Sequence, residues 1–286
     1  MEKFPRTIVG GLSVSRLVIG TNWFLGFSHT SRAKDIFIQN NIGVREKIAD
    51  ILEVFVNSGI DTVIGLIQRK VLAEAIEETQ QRTGKKIIII STPILPADEK
   101  TLISGFDNDE VKKILDIEAK ANTAICMPHQ ATTDKMVDRC TRSIRKMDTL
   151  MRLIRERGMI PGLSTHMPET IVYADETNLD TETYIAIYNS MGFLMQIEVD
   201  WVARIIQNAK KPVLTIKPFA SGQLRPLQGL TFVWNTIRPK DMVAVGVMSP
   251  DEAREVIDIS LSILEKTLPA YQLQETRSKE SVRKHQ

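Results

Sequence analysis

The stretch Pro212-Val-Leu-Thr-Ile-Lys-Pro-Phe219, followed by Ala220-Ser221-Gly222-Gln223, decides the fold. Its apolar run reads as a buried strand ending in a lysine, and the small residues after it read as a loop. A helix is expected near residues 227–237, and a second apolar strand at Met242-Val-Ala-Val-Gly-Val247. Met248-Ser249-Pro250 then turns the chain into a helix starting at Asp251. Ser249 stands in the N-cap position, Pro250 at the first helical position, and Glu252 completes a Ser-x-x-Glu capping box. Strand, loop, helix, strand, loop, helix is the repeating unit of a parallel sheet.

The same unit recurs upstream. Residues 7–14 alternate around Gly10-Gly11 and predict a short hairpin, and Arg16-Leu-Val-Ile-Gly20 predicts the first strand of the repeat. A long loop is expected over 21–44. An amphipathic helix is expected over 45–58, closed by Gly59, and a second strand over 60–65. A helix over 69–82 ends at Gly84, and a third strand over 86–92 holds four consecutive isoleucines, as suits a strand covered on both faces. Helix 109–121, strand 123–129, a long helix 134–157 and a short strand 160–165 follow. Pro168 opens a brief helix, a sixth strand is expected over 193–199, and its helix over 201–209. With the two units of the opening stretch, the count is eight. The fold class is therefore α/β, an eight-stranded (β/α)8 TIM barrel with an N-terminal β-hairpin. One barrel domain is expected over 1–268, with a polar C-terminal tail over 269–286.

At 286 residues with 43% apolar content, the chain can bury one large core. Thirty-seven basic against 35 acidic residues give a net charge of +2, too mild to point to nucleic acid. No apolar run reaches the length of a membrane span, and the first residues lack a signal peptide's apolar stretch. The two cysteines, Cys126 and Cys140, have no metal-ligand spacing, which suits a reducing cytoplasm. A small molecule is the expected partner. The oligomeric state is left open.

In a barrel of this class, reacting side chains stand at the C-terminal ends of the strands. Three of the four histidines fall there: His29, His129 and His166. Strand alternation puts His129 on a face with Ile125 and Met127, His166 with Gly162 and Ser164, Glu198 with Gln196, and Lys217 with Thr215. If those faces point inward, His129, His166, Glu198 and Lys217 converge on one mouth. Each has a plain structural reading beside this one. A strand-end histidine is often simply solvated, and Lys217 and Glu198 on neighbouring strands form a natural ion pair. Functionally, a lysine in apolar surroundings acts as base or Schiff-base nucleophile. His129, His166 and Glu198 are also metal-ligand types, but no short ligand motif supports that set, and no metal is expected. Gly162-Leu-Ser-Thr-His166 falls one glycine short of a nucleophile elbow.

The chain resembles the aldo-keto reductase superfamily over roughly residues 6–265. The likeness rests on four segments, of which the first two are the opening Arg6-Thr-Ile-Val-Gly-Gly-Leu-Ser-Val-Ser-Arg-Leu-Val-Ile-Gly-Thr21 and Gly59-Ile-Asp-Thr62. The other two are Lys217-Pro-Phe-Ala-Ser-Gly-Gln-Leu224 and Gly246-Val-Met-Ser-Pro-Asp-Glu-Ala-Arg-Glu255. The resemblance implies an eight-stranded barrel with a hairpin beneath it, and two loops gripping NADP(H) through Ser221, Gly222, Gln223, Gly246 and Ser249. It also implies an Asp, Tyr, Lys, His tetrad. Asp61 matches the aspartate and His129 falls near the histidine, but Leu66 stands where the tyrosine belongs and Pro93 near the lysine's place. Met248 stands where a basic residue meets the 2′-phosphate. The chain thus reads as a divergent member, and the cofactor stays open, with NADP(H) as one candidate.

Three functions compete on this reading. The first is a divergent barrel enzyme acting on a small anionic or carbonyl-bearing substrate, with His129, His166, Glu198, Lys217 and Asp61 as its site. The second is an NADP(H)-dependent oxidoreductase with a rearranged proton donor. The third is a catalytically silent binding protein with an occluded pocket.

Overall fold

The computed structural model describes residues 4–269 and 279, so the polar tail read over 269–286 lies almost wholly outside the described residues. The chain opens with an antiparallel hairpin, β1 (Arg6–Val9) and β2 (Leu12–Ser15), in which Val9 faces Leu12 across Gly10-Gly11. Both glycines have positive φ, 55° and 86°, as a two-residue hairpin turn requires. The barrel strands follow: β3 (Leu17–Gly20), β4 (Thr62–Gly65), β5 (Ile88–Ser91) and β6 (Thr123–Cys126). A minor ribbon comes next, β7 (Val137–Asp138) with β8 (Ser143–Ile144), outside the main sheet. The barrel resumes with β9 (Ile160–Pro161), β10 (Leu163–Ser164), β11 (Tyr184–Ile187), β12 (Val213–Ile216) and β13 (Met242–Val245).

Nine strand segments pair in the order β10-β11-β12-β13-β3-β4-β5-β6-β9, all in parallel. The two end segments are one stretch of chain interrupted only by Gly162, so the sheet closes into a barrel of eight staves. The backbone N–H of Gly162 donates to Cys126 O on one side, and that of Leu163 to Thr183 O on the other. A Cβ at residue 162 would meet Met127 and Thr183 side-chain atoms at 2.9 Å, so only glycine fits this seam.

Two clusters of buried apolar residues show which way each strand faces. Val18, Ile64, Ile90, Ile125, Ile185, Leu214 and Ala244 fill the barrel interior, with Val9 and Val14 of the hairpin closing its floor. Ile19, Val63, Ile89, Cys126, Tyr184, Val213 and Val243 face outward to the helices. This alternation is the period-2 pattern of strands buried on both faces. The helices obey the same logic. Lys70–Thr83 buries Leu72, Ala75, Ile76 and Thr79 and ends on Gly84 in the left-handed conformation. Pro250–Glu265 is capped by Ser249, whose hydroxyl accepts from Glu252 N. The Glu252 carboxylate accepts from Met248 N rather than from Ser249 N, one residue earlier than a capping box has it.

Three elements differ from the sequence reading. The sixth strand is Tyr184–Ile187, with all four residues buried, and not 193–199. That later stretch cannot extend: Asn189 clamps Phe193 by two hydrogen bonds, and Leu194 has a φ of 57°. The helix expected over 134–157 exists only as Met147–Arg155. Ahead of it, the Asp138 carboxylate accepts from Cys140 N and Thr141 N and pairs with Arg145, holding the β7–β8 ribbon. The loop expected over 21–44 contains a helix, Arg32–Asn41, capped by the Ser31 side chain. Among the described residues, no helix is long and apolar enough to cross a membrane.

The floor is tied by one fully buried carboxylate. Asp241 accepts from Val213 N, from Arg238 N, and from the Arg238 guanidinium at 2.7 and 2.8 Å. Its backbone carbonyl accepts from Arg16 Nε, and the Arg16 guanidinium stacks over Trp234 at 5.1 Å. Removing one partner leaves the other buried without compensation, so Asp241→Ala should cost about 3–5 kcal/mol. That corresponds to a melting-temperature fall of roughly 10 °C, read by thermal denaturation, while Asp241→Asn, which keeps one acceptor oxygen, should lose less.

Candidate functional site

The strands' C-terminal ends frame a cavity of about 510 Å³, whose wall includes His29, His129, His166 and Lys217. His129 and His166 arrive as alternation predicts, each continuing the interior face of its strand. His129 sits at the N-cap of the short helix Gln130–Thr133, and its Nδ1 accepts from Ala131 N. The proton of the neutral ring is therefore on Nε2, which remains as a donor. His166 is fixed from behind by Asp134, which accepts from His166 N at 3.1 Å and from Thr165 Oγ1 at 2.5 Å.

Lys217 reaches the mouth by a different route. On β12, Leu214 faces the interior and Val213 the helices, so Thr215 and residue 217 fall on the outer face by alternation. Lys217, however, has a φ of 61°, which breaks the alternation and turns its side chain into the cavity. Ala220, Ser221 and Gly222 are left-handed too. Each non-glycine residue in that conformation carries about 1–2 kcal/mol of strain, which surrounding structure must offset and which gathers at functional sites.

The ammonium of Lys217 lies 3.2 Å from His29 Nε2. His29 Nδ1 donates to Phe27 O at 3.1 Å, which leaves Nε2 as the acceptor for the lysine. The sequence places His29 after the first strand but gives no periodicity for a loop residue, so its pairing with Lys217 was not legible. Among the described residues Lys217 makes no salt bridge. Burial pushes its pKa down to about 8. Burial, reinforced by Lys217, His129 and His29, pushes His166 down to about 4. Burial and then Lys217 lower His129 and His29, though for His29 the Phe27 carbonyl and Asp35 pull the other way. At neutral pH the mouth thus holds three neutral imidazoles around one amine.

Two of the expected site residues are elsewhere. Glu198 is exposed, at the N-cap position of the helix Val199–Asn208, because the strand assigned to it is a loop. The Lys217–Glu198 ion pair therefore does not form. Asp61 precedes β4, at the opposite end of the barrel from the cavity, and pairs with Arg6 of the hairpin at 2.9 Å. Of the cofactor positions, Ser221 and Gly222 line the cavity, and Gln223 is exposed with its amide donating to Ala220 O. Gly246 lies under the indole of Trp23, and Ser249 is occupied as a helix cap. Leu66 lines the cavity, and among the described lining residues there is no tyrosine. Nor do the described residues contain three His, Cys, Asp or Glu side chains grouped to hold a metal ion.

No family model matches the sequence, and no curated protein matches it significantly. Solved structures do match in shape. A Pseudomonas aeruginosa protein assigned as an aldo-keto reductase superposes with a TM-score of 0.65 at 18% identity, covering 91% of this chain and 95% of its own. An aldo/keto reductase from Brucella melitensis gives 0.56 at 12% identity, covering 96% of this chain and 95% of its own. Aldose reductase from Giardia lamblia gives 0.52 at 10% identity, over 98% and 92%. The chain is a barrel of the aldo-keto reductase fold.

Proposed function

We propose that the protein is an enzyme acting at the barrel mouth on a small carbonyl-bearing or anionic substrate, by acid–base and electrophilic chemistry. The observation that carries this is Lys217, held in the cavity by a left-handed backbone, beside His29 and without a carboxylate partner among the described residues. A lysine kept only for stability is normally paired when it is buried. Here its charge, when present, is available to a substrate oxygen. The Nε2–H of His129 is a second donor for such an oxygen, and neutral His166 is a proton acceptor. An open cavity of about 510 Å³ also favours this over a silent barrel with an occluded pocket.

The residues present do not fit NADP(H), the cofactor that the family resemblance implies. Glu252 brings a carboxylate to Met248 N, one of the N–H groups at the helix start that an incoming phosphate needs. Asp251 adds negative charge there, and Met248 offers no charge-assisted bond. Trp23 covers the face of Gly246, where a Cβ would meet its ring at 2.5 Å. The reductase reading therefore takes second place. The cytoplasm is the compartment proposed, on two cysteines that are both unpaired.

Turnover of small aldehydes, ketones and 2-oxo acids, followed by NMR with and without NADPH, tests the proposal. Lys217→Met should lower kcat/KM by about 10²-fold or more with little change in melting temperature, and His166→Gln by a similar order. Glu198→Gln should leave both unchanged. If Lys217→Met keeps activity and loses stability, the lysine is structural. In a separate titration followed by fluorescence, NADPH should show no saturable micromolar binding; saturation there would restore the reductase.

A further inference from the structure

Four features of the mouth bear on one amine. Lys217 Nζ is half-buried at the cavity wall, a lone pair on His29 Nε2 lies 3.2 Å from it, His129 keeps an Nε2–H, and His166 stands across the same cavity. An amine that only binds an anion needs none of the three imidazoles. An amine that forms a covalent bond to carbon needs a place to lose a proton, a donor for the carbonyl oxygen, and a partly dry pocket. All are present here.

We propose that Lys217 holds an aldehyde or ketone substrate as a Schiff base in the barrel mouth, a step that rests on the reading of the mouth as an enzyme's site. Lys217 first releases its ammonium proton to solvent, the neutral amine attacks the carbonyl carbon, a C–N bond forms, and the C=O π pair goes to oxygen, which accepts a hydrogen bond from His129 Nε2–H. The nitrogen then loses a proton to His29 Nε2, which passes it on to that oxygen. The resulting carbinolamine hydroxyl takes up a solvent proton, in place of the one Lys217 released, and leaves as water, while the nitrogen lone pair forms C=N. In sum, carbonyl plus Lys–NH3⁺ gives the iminium and one water, with no oxidant or reductant consumed. The iminium acidifies the adjacent C–H, and neutral His166 is the acceptor for that proton. The substrate class is a small aldehyde or ketone with a hydrogen on the carbon next to C=O, and the reaction is isomerisation or carbon–carbon bond exchange at that carbon.

Burial supports the step because it brings the amine into its reactive form near neutrality. Lys217 sits at about 8, so the neutral amine, and with it adduct formation, grows as pH rises through about 8. The groups lining the same cavity are His29, His129 and His166 from the loops after β3, β6 and β10, Arg225 from the loop after β12, and Glu252 and Glu255 from the last helix. Glu252 is already engaged by Met248 N.

The full-length protein is incubated separately with pyruvate, acetaldehyde and dihydroxyacetone, then reduced with sodium borohydride, and the adduct is located by peptide mass mapping. The expected result is an adduct concentrated at Lys217, absent in Lys217→Arg and Lys217→Met, with yield rising through about pH 8. Modification spread over exposed lysines, with none favoured at Lys217, overturns the Schiff base. If Lys217→Met abolishes turnover but no probe is trapped at Lys217, the acid–base reading stands and the covalent step falls. If trapping occurs at Lys217 while no probe is turned over, the covalent step stands and the acid–base assignment falls for these substrates.

Discussion

Closure of the barrel at Gly162 is the constraint on which the rest depends. Parallel strands leave two open edges unless the first and last pair, and an open edge exposes a row of unpaired backbone groups. Here a five-residue stretch serves both edges in turn, its first half bonding β6 and its second half β11. A side chain at residue 162 would collide with Met127 and Thr183, whose positions are set by those two neighbours. Only with the ring shut do the ends of β3, β6, β10 and β12 meet around one mouth, which is how residues 29, 129, 166 and 217 share a cavity.

The two ends of the barrel treat charge differently. At the floor the charged groups that tie the barrel are matched: Asp241 with Arg238, Asp61 with Arg6, and Arg16 with the Asp241 carbonyl and the face of Trp234. At the mouth, Lys217 faces imidazoles instead. Matching a buried charge secures the fold, whereas leaving one unmatched costs stability unless a ligand completes it. The division agrees with the general separation in such barrels between a stability face and a reactive face.

The fold was legible because its signals are local and redundant. The isoleucine run at 87–90, the glycines after helices, and Ser249-Pro250 each fix an element without knowledge of its neighbours. The failures have equally local causes. Apolar residues at 193–199 mimic a strand, and the clamp between Asn189 and Phe193, with the left-handed Leu194, makes them a loop; Glu198 moves with it. The helical pattern at 134–157 conceals an Asp138-centred turn. At the site, alternation was enough for His129 and His166. For Lys217 the expected address was reached through a wrong premise, since Thr215 and residue 217 belong to the outer face and a backbone torsion supplies the reversal. Asp61 matched a motif in type, but its place at the start of the strand expected over 60–65 already pointed to a deeper, structural position, and it pairs there with Arg6.

That reversal at Lys217 uncouples the barrel's architecture from its reactive group. Interior positions of the staves are fixed by packing, and exchanging one disturbs its neighbours around the ring. A residue swung inward by its own φ, just beyond the last paired position, depends on the loop that holds that torsion rather than on the ring of packed side chains. A lineage can therefore gain, lose or replace the amine at this address while every stave keeps its sequence pattern. Two barrels that superpose along their whole length can then differ in chemistry by the state of one dihedral angle, and shape similarity alone carries no record of which state a chain has inherited.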